Sequence, residues 1–260
     1  MKTILLSILI GLVLTGCPTL KYIDGGFSGS GYASRYWDCC RPDCSYSQYA
    51  GNGNECKICD DKGNIISDKN AYSMCDYGPD TTCISQSPFV ESGCSTMGFA
   101  FAKVPGGGPL ICGRCFELTF TGEGKYETQL NHKKLKGKKL VVMASNIGYD
   151  ASENEFEILI PGGGDKLSNG CEQIFGTDLG SRFGGLLSDC ENEVGWSVSN
   201  ITIYSGRKQC LAQKCNSVFS SNITAKKGCL FHAEFLEAAN FPLFTFKEVQ
   251  CPTQLTTKYK

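Results

Sequence analysis

Seventeen cysteines in 260 residues constrain this chain more than any other feature of its sequence. Thiols at that density persist as disulfides or as metal ligands, and a disulfide framework points to an oxidising compartment. The pairs Cys56/Cys59 and Cys112/Cys115 have the Cys-x-x-Cys spacing, but more than fifty residues separate them. Zinc sites built from two such pairs hold them roughly 15–20 residues apart. Disulfides are therefore expected at all four positions, with no metal and no cofactor. A thioredoxin-like role is disfavoured as well, because Cys115 leads into an alternating strand pattern instead of opening a helix.

Residues 1–17 place Lys2 before an apolar run and end on small residues, the layout of a cleaved signal peptide. The run is too short to span a bilayer. Its ending, Leu14-Thr15-Gly16-Cys17, also resembles a lipoprotein cleavage box, which would put a lipid on Cys17. Against that stand two glycosylation sequons, beginning at Asn200 and Asn222, which matter only in a eukaryotic secretory path. Secretion is the preferred reading, and a lipid anchor at the cell surface the alternative. Either fate of Cys17 leaves sixteen cysteines, enough for eight disulfides. The Gly/Ser-rich residues 18–30 read as a flexible leader, 31–252 as a single domain and 253–260 as a tail.

The formal net charge is −1, and the only basic run, residues 132–139, reads as a solvated turn between strands. Nucleic acid is not an expected partner. In "CFELTFT", Phe116, Leu118 and Phe120 alternate with Glu117 and Thr119. "FEILI" at 156–160 alternates likewise, and "KLVVMAS" suits a strand covered on both faces. "FHAEF" and "FPLFTFKEV" look like further strands, and helical periodicity is weak throughout. A β-rich barrel or sandwich with long disulfide-pinned loops is expected.

With only His132 and His232 available, nucleophilic triads have little support. The runs "PGGGP" at 105–109 and "PGGGD" at 161–165 lack the Lys-Ser/Thr and following helix of a phosphate loop. Carboxylates remain. Cleaving a glycosidic bond needs one acid to protonate the leaving oxygen and a second carboxylate to activate water or attack carbon. Asp38 follows Tyr36 and Trp37, whose rings could stack on a sugar and exclude water from the acid. Glu157 faces away from Phe156 and Ile158, and Asp150 lies on the polar loop before that strand.

At this point the residues match a family. "ASRYWDCCRPDCSY" resembles the signature of glycoside hydrolase family 45 endoglucanases, which read close to "STRYWDCCKPSCGW". "MGFAF", "CGRCFELTFTG", "NEFEILIPGGG", "NGCEQIFG" and "FTFKEVQCP" follow in the family's order, so the resemblance runs from about residue 31 to 252. It implies a six-stranded double-psi β-barrel crossed by a groove for a glucan chain, cut internally with inversion by a secreted monomer. Carried over, Asp38 matches the general base, Asp150 the loop aspartate that helps to position the acid, and Tyr36 the aromatic at the cleavage subsite. Arg35, Trp37, Tyr46 and Phe101 are the further candidates for substrate binding.

The chief departure is at the acid, where the family's "HFD" reads Glu155-Phe156-Glu157. The added methylene would displace the carboxyl by about 1 Å, enough in a rigid site to cost on the order of a hundredfold in rate. Phe101 stands where the family often has a small residue, and Tyr46 replaces a tryptophan platform. A stretch of about thirty residues carrying Cys210, Cys215 and both sequons reads as an inserted surface hairpin. Two other functions compete with a cellulase: a xyloglucan or mixed-linkage glucanase, and a weakly active or non-hydrolytic wall-loosening protein of expansin type. Expansins generally lack the base, which this chain retains.

Overall fold

The computed structural model describes residues 16–68, 70–106, 111–149, 151–152, 154–165 and 168–260. Among these residues nine strands are formed: β1 (Ser28–Tyr36), β2 (Ile58–Cys59), β3 (Ile65–Ile66), β4 (Phe89–Val90), β5 (Met97–Val104), β6 (Cys115–Gly124), β7 (Lys139–Ile147), β8 (Glu155–Leu159) and β9 (Pro242–Val249). The main sheet runs β4-β5-β7-β6-β9-β1-β8, and a further β5–β8 pairing closes the six strands from β5 to β8 into a ring, with β4 outside it. β1 pairs parallel with β8 and β5 parallel with β7, while the β5–β8 pairing is antiparallel. The ring is filled where the alternation predicts: Phe116, Leu118 and Phe120 are buried, and Phe116 and Phe156 meet edge to face at 5.6 Å.

The helices depart from the sequence expectation. They are α1 (Ser47–Ala50), α2 (Leu130–Leu135), α3 (Cys171–Phe175), α4 (Gly185–Val194), α5 (Ile201–Val218), α6 (Ile223–Glu234) and α7 (Thr253–Tyr259). The inserted stretch is no hairpin. α5 packs on both α4 and α6, and two disulfides, Cys190–Cys210 and Cys215–Cys229, staple it to them. "FHAEF" belongs to α6, so His232 is helical, and the basic run containing His132 begins inside α2.

Residues on both sides of the expected catalytic segment pack into the fold. Residues 18–30 are not a free leader: Tyr22 bridges to Val249, and Ser28, Gly29 and Ser30 pair with β9. The expected tail is α7, which buries Leu255 and Tyr259.

Eight disulfides form, with a different cysteine left over. Cys17 bonds to Cys94, and Cys56, fully buried, is the one thiol outside the bridges. A sulfur bridged to Cys94 cannot also carry a thioether-linked lipid, and removing residues 1–17 would delete the bridge. The signal-like segment itself, residues 1–15, lies outside the described residues.

Candidate active site

β1 ends at Tyr36, and the chain then carries Trp37, Asp38 and Cys39 along the triple glycine that follows β8. Ile160 N–H donates to Tyr36 O at 3.0 Å, Trp37 N–H to Gly164 O at 2.8 Å, and Gly170 N–H to Asp38 O at 2.8 Å. A Cβ at Gly163 would lie 2.8 Å from Ile160 O and 3.0 Å from the Tyr36 backbone. Glycine there allows two backbones to touch, so "PGGG" serves the Asp38 segment and cradles no phosphate. Cys39, at a left-handed φ of 58°, bonds to Cys171, and Cys40 bonds to Cys75. The acid therefore sits on a backbone fixed from both sides.

Asp38 is half-buried. Its Oδ1 accepts the Cys40 N–H at 2.9 Å. Burial is the largest influence on its carboxyl and pushes its pKa up to about 6, with Asp165 adding in the same direction. The Cys40 N–H and the charge of Lys103 oppose the rise. Such a group is ionised near neutrality and still basic enough to accept a proton from water.

Glu157 lies on β8 opposite Ser34 of β1 and Lys103 of β5. Its side chain is 0% exposed, and its Oε2 is 3.3 Å from Lys103 Nζ. Glu157 does face away from Phe156 and Ile158, but β8 is covered on both sides, so the carboxyl is not at the surface. Lys103 Nζ also stands 5.0 Å from the centroid of the Tyr36 ring. One lysine thus lies beside Glu157 and Tyr36 and acts on Asp38. Strand-to-strand register brings it there, which a single segment of sequence does not reveal.

Asp150 lies outside the described residues. Tyr36 is next to Asp38 as expected, but it is buried, with its hydroxyl accepting from Asn146 Nδ2 at 3.3 Å. Burial, joined by the Asp38 charge, raises its pKa and keeps the phenol protonated. Trp37, 2% exposed, points into the core with its Nε1–H on Cys39 Sγ, so its ring offers no stacking face. Arg35 is buried too, donating from Nε to Gly184 O and from Nη1 to Asn240 Oδ1. Phe101 is 0% exposed and stacks on Tyr259 of α7, so it does not narrow a groove.

Tyr46 does reach a surface. The Arg41 guanidinium caps its ring at 3.9 Å and is itself fixed by Asp80 at 2.8 Å. Tyr46 meets Tyr49 edge to face at 6.2 Å, and Tyr49 meets Tyr149 at 6.5 Å. Tyr149 is 64% exposed and precedes Asp150 in the chain. This tyrosine row was not expected from sequence, where Tyr149 stands a hundred residues after Tyr49.

The family model for glycosyl hydrolase family 45 matches residues 30–196. The chain belongs to glycosyl hydrolase family 45. It is 37% identical over 243 residues to Endoglucanase B of Cellvibrio japonicus (strain Ueda107), covering 91% of this chain and 46% of that protein. A putative endoglucanase type K of Fusarium oxysporum is 34% identical over 231 residues, covering 88% of this chain and 52% of its own length. This chain thus spans about half the length of those two relatives. An endoglucanase of Cryptopygus antarcticus is 32% identical, with 90% of each chain covered. The crystal structure of a cellulase from that Antarctic springtail superposes with a TM-score of 0.68 at 30% identity, covering 90% of this chain and 96% of the other. α5 and α6 lie beyond the segment that the family model matches.

Proposed function

We propose that this family 45 protein is a secreted, monomeric endo-β-1,4-glucanase that hydrolyses internal bonds of cellulose or a related β-glucan with inversion. The observation that carries the reading is Asp38: a carboxylate anchored on rigid backbone, with its proton affinity raised toward neutrality by burial. Three relatives bearing the name endoglucanase support it. Eight disulfides support a secreted location.

In this mechanism Asp38 takes a proton from water as the water oxygen bonds to the anomeric carbon, and a second carboxyl gives a proton to the departing glycosidic oxygen. Inverting enzymes keep roughly 6.5–9.5 Å between the two groups to seat that water. The acid is assigned to Glu157, at the family's acid position, with Asp150 on the loop before it as the helper. The Tyr46–Tyr49–Tyr149 row is suited to stacking on successive sugar faces. Purified protein should release oligosaccharides from a soluble β-1,4-glucan, with the first product anomer by NMR opposite to that of the bond cut. A retained anomer, or no product from any soluble glucan, rejects the assignment.

One observation favours a second reading. Glu157 has no exposed surface and contacts Lys103, and a proton donor has to reach the glycosidic oxygen. A weakly active or non-hydrolytic, expansin-like wall protein fits a site whose acid stays covered. It would bind cellulose and loosen it with no new reducing ends.

A further inference from the structure

Lys103 is the one cation that acts on Asp38 among the influences resolved at that carboxyl, and it enters from β5 directly across from Glu157 on β8. The groups around this lysine can be taken element by element. β1 and its extension contribute the Tyr36 ring and Asp38, and β8 contributes Glu157, while Asp165, in the turn after β8, acts on Asp38 itself. β7 contributes the neutral amide of Asn146, bonded to the Tyr36 hydroxyl. The Lys103 side chain is 11% exposed and that of Glu157 0%. Little water separates these charges, so their mutual influence is weakly screened.

Stability alone does not account for a lysine here. A covered ion pair is often no more stabilising than apolar residues of the same volume, because both ions lose hydration. The surrounding β5 residues Ala100, Phe101, Ala102 and Val104 are all apolar, so another apolar side chain would suit the strand.

We propose that Lys103 is a positioning residue of the catalytic centre: its ammonium, anchored by Glu157 and held over the Tyr36 ring, keeps Asp38 ionised among neighbouring carboxylates and links the charge states of the two catalytic acids. Without that charge, burial and Asp165 both favour protonated Asp38, opposed by the Cys40 N–H and the backbone N–H of Asp38 itself. With Glu157 neutral, one negative neighbour is removed from Lys103, so less of its charge is offset there and more acts on Asp38.

The experiment uses Lys103→Met, Lys103→Arg and Glu157→Gln in the full chain, and follows the Asp38 carboxyl carbon by 13C NMR across pH without substrate. Lys103→Met should move the Asp38 midpoint up by at least about half a pH unit. Lys103→Arg should restore it, and Glu157→Gln should lower it. An unmoved midpoint in folded Lys103→Met overturns the proposal. Should that variant fail to fold, an unmoved midpoint in Glu157→Gln does the same. The kinetic arm rests on the endoglucanase reading: in Lys103→Met the acid limb of kcat/KM on a soluble glucan should shift upward in pH. A lysine that only supports packing would lower kcat at every pH with no shift. If the wild type cleaves no glucan while the NMR midpoint still moves, the endoglucanase reading fails and the coupling through Lys103 stands.

Discussion

Lys103 Nζ lies 3.3 Å from Glu157 Oε2, at directly paired positions on two strands that close the ring. Glu157→Asp should keep or raise the rate on carboxymethyl cellulose, since it restores the family's acid. Glu157→Ala should lower kcat by on the order of a hundredfold or more, the usual contribution of a general acid. An undiminished rate in Glu157→Ala would transfer the role to Asp150, checked in turn by Asp150→Asn.

The Asp38 carboxyl, raised to about 6, sets the acid side of the pH profile. In the proposed mechanism Asp38 is the base and works only when ionised, so kcat/KM should fall as pH drops through about 6. Initial rates on a soluble glucan between pH 4 and 8, where the fold is intact by circular dichroism, check this. A rate flat down to the ordinary carboxylate range of about 4 would mean that Asp38 is not the titrating base.

His232 gives stability its own pH dependence. Burial, with Arg35 adding, depresses its pKa to about 3, against about 6.5 in the unfolded chain. The unfolded chain therefore binds the extra proton first. The contribution is complete above about 6.5 and is lost progressively as pH falls toward 3. Denaturant midpoints measured over this range should fall with acid less steeply in His232→Gln than in the wild type.

The bond between Cys39 and Cys171 closes a loop across 132 residues next to Asp38. Replacing both with alanine should cost about 2–5 kcal/mol in denaturant unfolding. It should also lower kcat more than it raises KM, because the base is loosened while the tyrosine row is left in place. Equal kcat in the folded double variant would detach this bridge from the chemistry.

Which parts of the fold the sequence revealed follows from what carries each element. β6 and β8 alternate apolar with polar side chains, which leaves a period of two in the chain, and β7, covered on both faces, leaves a continuous apolar run. α5 buries only Arg207, Leu211 and Cys215, and an ion pair of Arg207 with Glu191 and the two helix staples take the place of an apolar stripe. With that stripe missing, no helical period is visible. A local signal was present nonetheless: Asn200 and Asn222 cap α5 and α6 through their side chains, accepting from Ile203 and Ala225 N–H. Read as sequons, they hid two helix starts.

The Asp38 segment was legible in the sequence, and the groups packed around it were not. Asp38 lies inside one contiguous motif, whereas Lys103 joins it only through pairing of β5 with β8. Trp37 looked like a sugar platform and Phe101 like a side chain narrowing the groove because sequence reports residue type and not facing. Both are core residues, and the exposed ring at that edge is Tyr149.

The central claim is that one carboxylate, Asp38, activates the water that cuts a β-1,4-glucan. Reducing-end release from carboxymethyl cellulose by Asp38→Asn is its most direct measure. The account predicts loss of release to background in a variant with wild-type circular dichroism and unfolding midpoint. Release at the wild-type rate from that folded variant would contradict it.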